Sequence, residues 1–218
     1  MTTGCYPRVK GEFDTMRLVA KGYNLARFGD GEFKMACGEG YRREPGSPAL
    51  AAELTGILMN PAANCLVGIP TMDDKGPKFP NWDRHRARFI KMLYPHRRFH
   101  SSFISRPDSA PWINTREYAE LVQSLWAGKK ATVLCEPTNS ILPLIRKTAS
   151  EVFWQSCPPR ECYKDIEKYE DILLAFGADI TIMSCGPTAT CLANRLALFN
   201  THAVDIGSAG GFLGKLLK

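Results

Sequence analysis

Six short apolar runs punctuate the chain, at residues 24–28, 64–69, 99–104, 131–135, 179–185 and 203–206, and their length and β-rich content predict strands. Between them, apolar positions at helical spacing predict helices over 47–59, 82–93, 115–126, 161–176 and 187–199. Strands that read as continuous apolar runs are buried on both faces, and their alternation with helices implies βαβ units. The expected fold class is therefore α/β, a mostly parallel sheet with helices on both faces. Two helix starts carry their own signals. Asn114, three residues before Glu117, is placed to form a capping box, with Tyr118, Leu121, Val122 and Leu125 as the buried stripe behind it. Pro187 sits at a first helical turn, where its missing amide hydrogen costs nothing.

Proline- and glycine-rich stretches at 39–48 and 70–80 read as loops near the carboxyl ends of strands, where open α/β sheets bind their ligands. Gly207, Gly210, Gly211 and Gly214 imitate a dinucleotide fingerprint, but that fingerprint opens a βαβ unit and is followed by an acidic residue about 20 positions later. The sequence reaches Lys218 without one, so a flexible final turn is expected. A P-loop motif is also missing, which argues against phosphoryl transfer.

The 218 residues suit one domain spanning 1–218, and a content of 44% hydrophobic and 23% charged residues excludes a disordered chain or a coiled coil. No run approaches the roughly 18 apolar residues of a membrane helix, and Met1 to Lys10 lacks the pattern of a cleaved leader. No membrane insertion and a cytoplasmic location are expected. The eight cysteines include no CxxC pair, so reduced thiols are expected, with Cys65, Cys135 and Cys185 acting as small buried hydrophobes. Cys157 with Cys162, and Cys185 with Cys191, are spaced too widely for a zinc knuckle, and the four histidines do not complete one. The formal net charge of +6 is unevenly spread. Arg84, His85, Arg86, Arg88, Lys91, His96, Arg97, Arg98 and His100 form a stripe without an acid, which attracts phosphates or else is a solvated helix face.

The densest chemistry is Arg27-Phe28-Gly29-Asp30-Gly31-Glu32, which closes and follows the first run. In an extended segment Asp30 and Glu32 point to the same side. Two carboxylates so placed can share a magnesium or manganese ion, whose remaining positions go to water and phosphate oxygens. Gly29 and Gly31 remove side chains that would block close approach, and Arg27 is placed to contact phosphate or to pair with Asp30 or Glu32. A plain exposed glycine turn is the alternative.

This block and three others, in the same order, resemble the GT-D-fold glycosyltransferases. The others are Phe103-Ile104-Ser105-Arg106-Pro107, Gly186-Pro187-Thr188-Ala189-Thr190 and Asp205-Ile206-Gly207. The resemblance implies a Rossmann-like enzyme with a nucleotide-sugar donor and a divalent cation, with Asp30 and Glu32 at the metal and diphosphate. It places Arg106 against the donor diphosphate, with a structural salt bridge as the alternative. It places Gly186 to Thr190 at phosphate or sugar, through backbone amides and the hydroxyls of Thr188 and Thr190, with a plain helix cap as the alternative. Asp205 would meet a sugar hydroxyl or the acceptor; Ser208 stands where the family pattern often carries a histidine.

The implied reaction is hexosyl or pentosyl transfer to a hydroxyl, with Asp205 and Glu136 as candidate general bases. Glu136 and Asn139 either reach the nucleotide or cap a helix. For the acceptor, Arg84, Arg86, Arg88, Lys91, Arg97 and Arg98 favour double-stranded DNA carrying hydroxymethylated bases. A glycan or glycoprotein acceptor is the alternative. The competing class is a non-enzymatic nucleic-acid-binding protein, in which the carboxylate turn is incidental.

Overall fold

The computed structural model describes residues 6–42, 44–71, 88–93 and 98–218. Its strands are β1 (Val9–Lys10), β2 (Asn24–Arg27), β3 (Cys65–Ile69), β4 (Phe99–Ser101), β5 (Lys130–Cys135), β6 (Glu151–Ser156), β7 (Ile180–Ser184) and β8 (Ala203–Asp205). Its helices are α1 (Glu12–Val19), α2 (Asp30–Ala36), α3 (Pro48–Met59), α4 (Arg116–Gln123), α5 (Ile141–Thr148), α6 (Ile166–Phe176), α7 (Pro187–Leu198) and α8 (Gly210–Leu216). Among the described residues the strands form one sheet in the order β1-β4-β3-β2-β8-β7-β5-β6, with every pair parallel.

The period of two along each strand divides the core between the faces of this sheet. Leu25, Val133, Ile182 and Val204 point to the face covered by α1, α4, α5 and α8, where Met16, Val122, Ile145 and Leu213 meet them. Ala26, Leu134, Met183 and Ala203 point to the other face, covered by α2, α3, α6 and α7 through Phe33, Leu54, Leu173 and Leu192. Each such Leu, Val or Phe, wholly removed from water, contributes about 1.5–3 kcal/mol. The expected α/β class with helices on both faces is thus the observed one. No helix among the described residues is long and apolar enough to cross a membrane.

Several local expectations change. The third run ends as a strand at Ser101, because the Ser101 hydroxyl accepts the Phe103 amide at 3.0 Å and turns the chain into a 3-10 segment over Phe103–Ser105. The cap of α4 is Thr115, whose hydroxyl accepts from the Tyr118 amide at 3.3 Å, and Asn114 lies one residue too early. Of the helix expected over 82–93, only 88–93 fall among the described residues, as do only 70–71 of the second proline-rich stretch.

Six of the named elements are not anticipated by the sequence pattern: β1, α1, α2, α5, β6 and α8. In α1 the core-facing series includes Glu12, buried and accepting hydrogen bonds from Ser101 Oγ at 2.6 Å and Trp112 Nε1 at 2.7 Å, so its apolar periodicity is broken. The flexible final turn is instead α8, fastened by Phe212 and Leu213 in the core.

Candidate active site

The strand order creates the site. From β2 the chain steps outward through β3 to β4, while β8 pairs on the other side of β2. The loop leaving β2 enters α2 on one face, and the loop leaving β8 enters α8 on the other. Loops that part in this way open a crevice at the carboxyl ends of the two strands, the usual ligand position in open α/β sheets.

Arg27 closes β2, Asp205 closes β8, and their side chains meet there. Arg27 Nη2 donates to Asp205 Oδ1 at 3.3 Å, while Nη1 donates to the Ser105 hydroxyl at 2.7 Å and the Ser102 carbonyl at 3.0 Å. Side-chain exposures of 15% and 5% make this a buried pair, so removing one partner strands a charge at a cost of about 3–5 kcal/mol. Asp205 also accepts the Gly207 amide at 3.0 Å and lies 3.4 Å from the Thr190 hydroxyl, which donates to the Arg27 carbonyl at 2.8 Å. Burial foremost raises the Asp205 pKa, with Arg27 and the Gly207 amide opposing. Gly207 lies directly under the guanidinium: a Cβ there would fall 1.9 Å from Arg27 Nη2, and its φ of +55° disfavours any side chain. Arg27 therefore pairs with Asp205 rather than with Asp30 or Glu32.

The carboxylate block is not an extended turn. Residues from Asp30 onward are helical, with Gly29 as the N-cap, and Glu32 at the third position folds back so that Oε2 accepts the Gly29 amide at 2.8 Å. Free amides at a helix start attract such a carboxylate, and this overrides the extended geometry expected from spacing alone. Two residues apart on a helix, Asp30 and Glu32 diverge. Asp30 Oδ2 accepts the Tyr41 hydroxyl at 2.8 Å, while Gly31 lies against the Tyr41 ring. Glu32 is half-buried at the cavity wall, and its pKa is raised by desolvation foremost and by the negative charge of Asp205, against the pull of the Gly29 amide and Arg27.

Both carboxylates nevertheless line one cavity of about 610 Å³, together with Arg27, Gly29, Gly31 and Asp205. No group of three or more His, Cys, Asp or Glu side chains gathers to hold a metal among the described residues. An all-protein cage does not fit. Magnesium or manganese held by one or two carboxylates and completed by water and phosphate oxygens does fit this donor set.

Arg106 lines the same cavity, gripped by Asp108 through bonds of 2.8 and 2.6 Å. Gly186 and Pro187 also line it, so α7 begins at the cavity wall and turns its positive end inward. Thr188 and Thr190 do not: both are fully buried, Thr190 tied to the Arg27 carbonyl and Thr188 Oγ1 without a hydrogen-bond partner. Their expected contact with phosphate or sugar is replaced by a structural one, because helix packing turns both inward. Glu136 and Asn139 reach the cavity, and Asn139 serves the capping role as well, accepting the Ile141 amide at 3.0 Å and donating to Ser184 Oγ at 2.8 Å.

Tyr41, Arg42, Glu44 and Arg160 are lining residues that sequence reasoning missed. The flagged stretch 39–48 pointed to the first three; Arg160 follows β6, an unanticipated strand. Cys185, expected to be a buried hydrophobe, also faces the cavity and is only partly buried.

Of the basic stripe, Arg84, Arg86 and Arg97 lie outside the described residues. Arg88 is paired with Glu39 and donates to the Cys37 carbonyl at 3.2 Å. His100 is buried in β4, where burial and the charge of Lys10 lower its pKa to about 4. Lys91 and Arg98 are exposed. Among the described residues the stripe does not make one continuous cationic face.

An open parallel sheet with a polar, partly cationic cavity over its switch point defines an α/β protein of the Rossmann-like class, with its candidate ligand site where such sheets usually carry one. The family described as glycosyltransferase GT-D fold matches residues 25–210, and the chain belongs to it. Over 212 residues it is 25% identical to a Streptococcus gordonii protein described as probable glycosyl transferase Gly, a match covering 87% of this chain and 30% of that protein. The chain thus spans less than a third of that relative. Among solved structures, the highly conserved domain of unknown function 1792, described as having a distinct glycosyltransferase fold, superposes with a TM-score of 0.82 at 22% identity. That match covers 96% of this chain and 81% of the other. A structure described as a new glycosyltransferase of the same domain type, from Streptococcus sanguinis, gives 0.81 at 20% identity, covering 96% and 85%.

Proposed function

We propose that the chain transfers a glycosyl group from a nucleotide-sugar donor to a hydroxyl of a glycan or glycopeptide, with a divalent cation at Asp30 and Glu32. The observation that carries this reading is the convergence of Asp30, Glu32, Arg27 and the start of α7 on one cavity at the switch point of the sheet. About 610 Å³ accommodates a nucleotide-sized ligand.

In this reading Asp30 and Glu32 hold the cation, which supplies positive charge against the departing nucleoside diphosphate. Arg106, Arg42, Arg160 and the amino end of α7 surround the same phosphates and stabilise the charge that builds as the anomeric bond loosens. Asp205 acts through Arg27: its carboxylate is buried and its Oδ1 accepts both Arg27 Nη2 and the Gly207 amide, so it is assigned to positioning the guanidinium rather than to taking a proton. Glu136, on the cavity wall after β5, is the group assigned to receive the acceptor's proton.

A glycan or glycopeptide acceptor is preferred to DNA because Arg88 is neutralised by Glu39 and His100 is buried, which removes two cations from the stripe that argued for a phosphate backbone. Thermal stabilisation and donor hydrolysis across UDP-, GDP-, TDP- and CMP-sugars, with manganese or magnesium and then with EDTA, test the donor half. One nucleotide should give a metal-dependent shift that Asp30→Ala abolishes. No shift with any donor overturns the proposal, and salt-sensitive duplex binding would return the acceptor to DNA.

A further inference from the structure

A second, smaller recess adjoins the cavity over the switch point. Its walls are two loops: residues 136–140, which join β5 to α5, and residues 206–209, which join β8 to α8. Glu136, Thr138, Asn139 and Ser140 face it from the first loop and Ser208 from the second, around a volume of about 250 Å³. Glu136, Asn139 and Ser208 also line the larger cavity, so the two spaces meet at these side chains. Thr138 and Ser140 line the recess alone.

The packing of α5 against α8, on the same face of the sheet, sets the distance between the two walls. Gly210 permits it: a Cβ there would fall 2.5 Å from Ser140 Oγ and run into the Ile141 backbone amide. The first loop is a tight turn in which the Asn139 amide donates to the Glu136 carbonyl at 3.1 Å. Asn139 is pinned from both sides, its side chain accepting the Ile141 amide at 3.0 Å and donating to Ser184 Oγ at 2.8 Å. A wall fixed in this way loses little freedom when a ligand arrives.

The two spaces differ in chemistry. Arg27, Arg42, Arg106 and Arg160 line the larger one, which suits the charge of a nucleoside diphosphate. Among the described residues no Lys, Arg or His lines the recess, which presents three hydroxyls, one amide and one carboxylate. A carboxylate repels phosphate but accepts from a hydroxyl, and hydroxyls and amides both donate and accept. Such a set pairs with a neutral group carrying several hydroxyls. The volume is smaller than a drug-sized ligand fills, and it has room for one sugar ring but not for a nucleotide.

We propose that this recess binds a single neutral sugar ring and is the acceptor subsite, with one hydroxyl of the ring at Glu136 on the boundary with the larger cavity. There the acceptor hydroxyl gives its proton to Glu136 as its oxygen bonds to the anomeric carbon. The bond from that carbon to the diphosphate oxygen breaks, and the nucleoside diphosphate leaves with the electron pair. The role of acceptor rests on the glycosyl-transfer reading; the affinity for a sugar does not.

The test follows the backbone amide signals of the isotope-labelled full chain by NMR. The probes are the methyl glycosides of glucose, galactose, mannose and N-acetylglucosamine, with inorganic phosphate and a short uncharged seryl peptide as the other arms. One glycoside should move the amides of Thr138, Asn139, Ser140 and Ser208 with a millimolar Kd, ordinary for so small a ligand, and leave those of Gly29 and Gly186 in place. Thr138→Trp, which fills the recess from an exposed position, should weaken that binding at least about tenfold. Phosphate or the seryl peptide moving these amides where no glycoside does, or glycoside shifts centred on Gly29 and Gly186, overturns the proposal. So does the absence of any glycoside shift, both alone and with the nucleotide singled out by the donor screen. If Thr138→Trp does not fold, the shift map of the unsubstituted chain alone decides. Glycoside binding without any nucleotide binding refutes the donor reading and leaves the recess a sugar site, whereas nucleotide binding without glycoside binding does the reverse.

Discussion

Gly207→Ala isolates the feature on which the crevice depends. The new Cβ would lie 1.9 Å from Arg27 Nη2 and 2.9 Å from Cζ, and the residue would keep a φ of +55°. Left-handed backbone costs an alanine roughly 1 kcal/mol or somewhat more. The larger part comes from the guanidinium, which must leave Asp205, Ser105 and the Ser102 carbonyl. A buried carboxylate without its counter-charge costs about 3 kcal/mol at least. The expected loss is about 4 kcal/mol, which for a chain of this size lowers Tm by roughly 8–16 °C. Urea unfolding of Gly207→Ala, Arg27→Met and the double variant measures it, with Gly211→Ala as control because a Cβ there meets nothing within 4 Å. The control should be stable to within about 1 kcal/mol. The double variant should cost well under the sum of the singles, since both act on the Arg27–Asp205 pair. Full additivity, or a Gly207→Ala protein as stable as the parent, would refute the claim that Gly207 exists to admit Arg27.

Three further outcomes are expected. Glu32→Gln keeps an oxygen able to accept the Gly29 amide and should leave Tm nearly unchanged while abolishing metal-dependent donor binding, whereas Glu32→Ala should also lose about 1 kcal/mol of helix-start stability, read by urea unfolding. Tyr41→Phe removes the hydroxyl held by Asp30 and should cost about 1 kcal/mol with a weakened apparent affinity for manganese in titration calorimetry; an unchanged affinity would detach Tyr41 from the site. His100, whose folded pKa is about 4 against 6.5 unfolded, takes up its proton more readily when unfolded, so its share of stability is present above the higher value and is lost as pH falls through that window. Between pH 7 and pH 4 this should remove about 3 kcal/mol, measured as a shift in urea midpoint that His100→Gln suppresses.

The residues of the site were legible in one dimension and their geometry was not. Arg27, Gly29, Asp30, Gly31 and Glu32 form a contiguous block, so a motif reading finds them, and all five do line the cavity. The same reading assigned the block an extended conformation, because spacing says nothing of whether an amide at a helix start is waiting for the Glu32 carboxylate. Strands buried on both faces announce themselves as apolar runs, whereas β6 sits at the sheet edge, paired among the described residues with β5 alone, half-buried along its middle and exposed at both ends. Missing that strand hid Arg160, since the loop after it had no place in the scheme.

The deeper gap concerns pairs that only topology brings together. Asp205 reads as a candidate base because it ends a strand, and nothing local shows that its carboxylate is committed to a residue 178 positions earlier. The strand order explains it: β2 and β8 are neighbours, so the two charges ending them fall on either side of one crevice. A buried carboxylate in that position that stayed unpaired would be costly, and protonating the paired one would leave the Arg27 charge without its partner. In the proposed reading the proton-accepting role falls to another carboxylate that lines the cavity at the same sheet edge. Glu136 follows β5, two strands away, and Glu136→Gln should lower kcat for transfer to an acceptor while leaving metal-dependent donor binding intact. If Asp205→Asn gave that kinetic signature instead, with Arg27 still anchored and stability retained, the assignment of Asp205 as a positioning residue would be wrong.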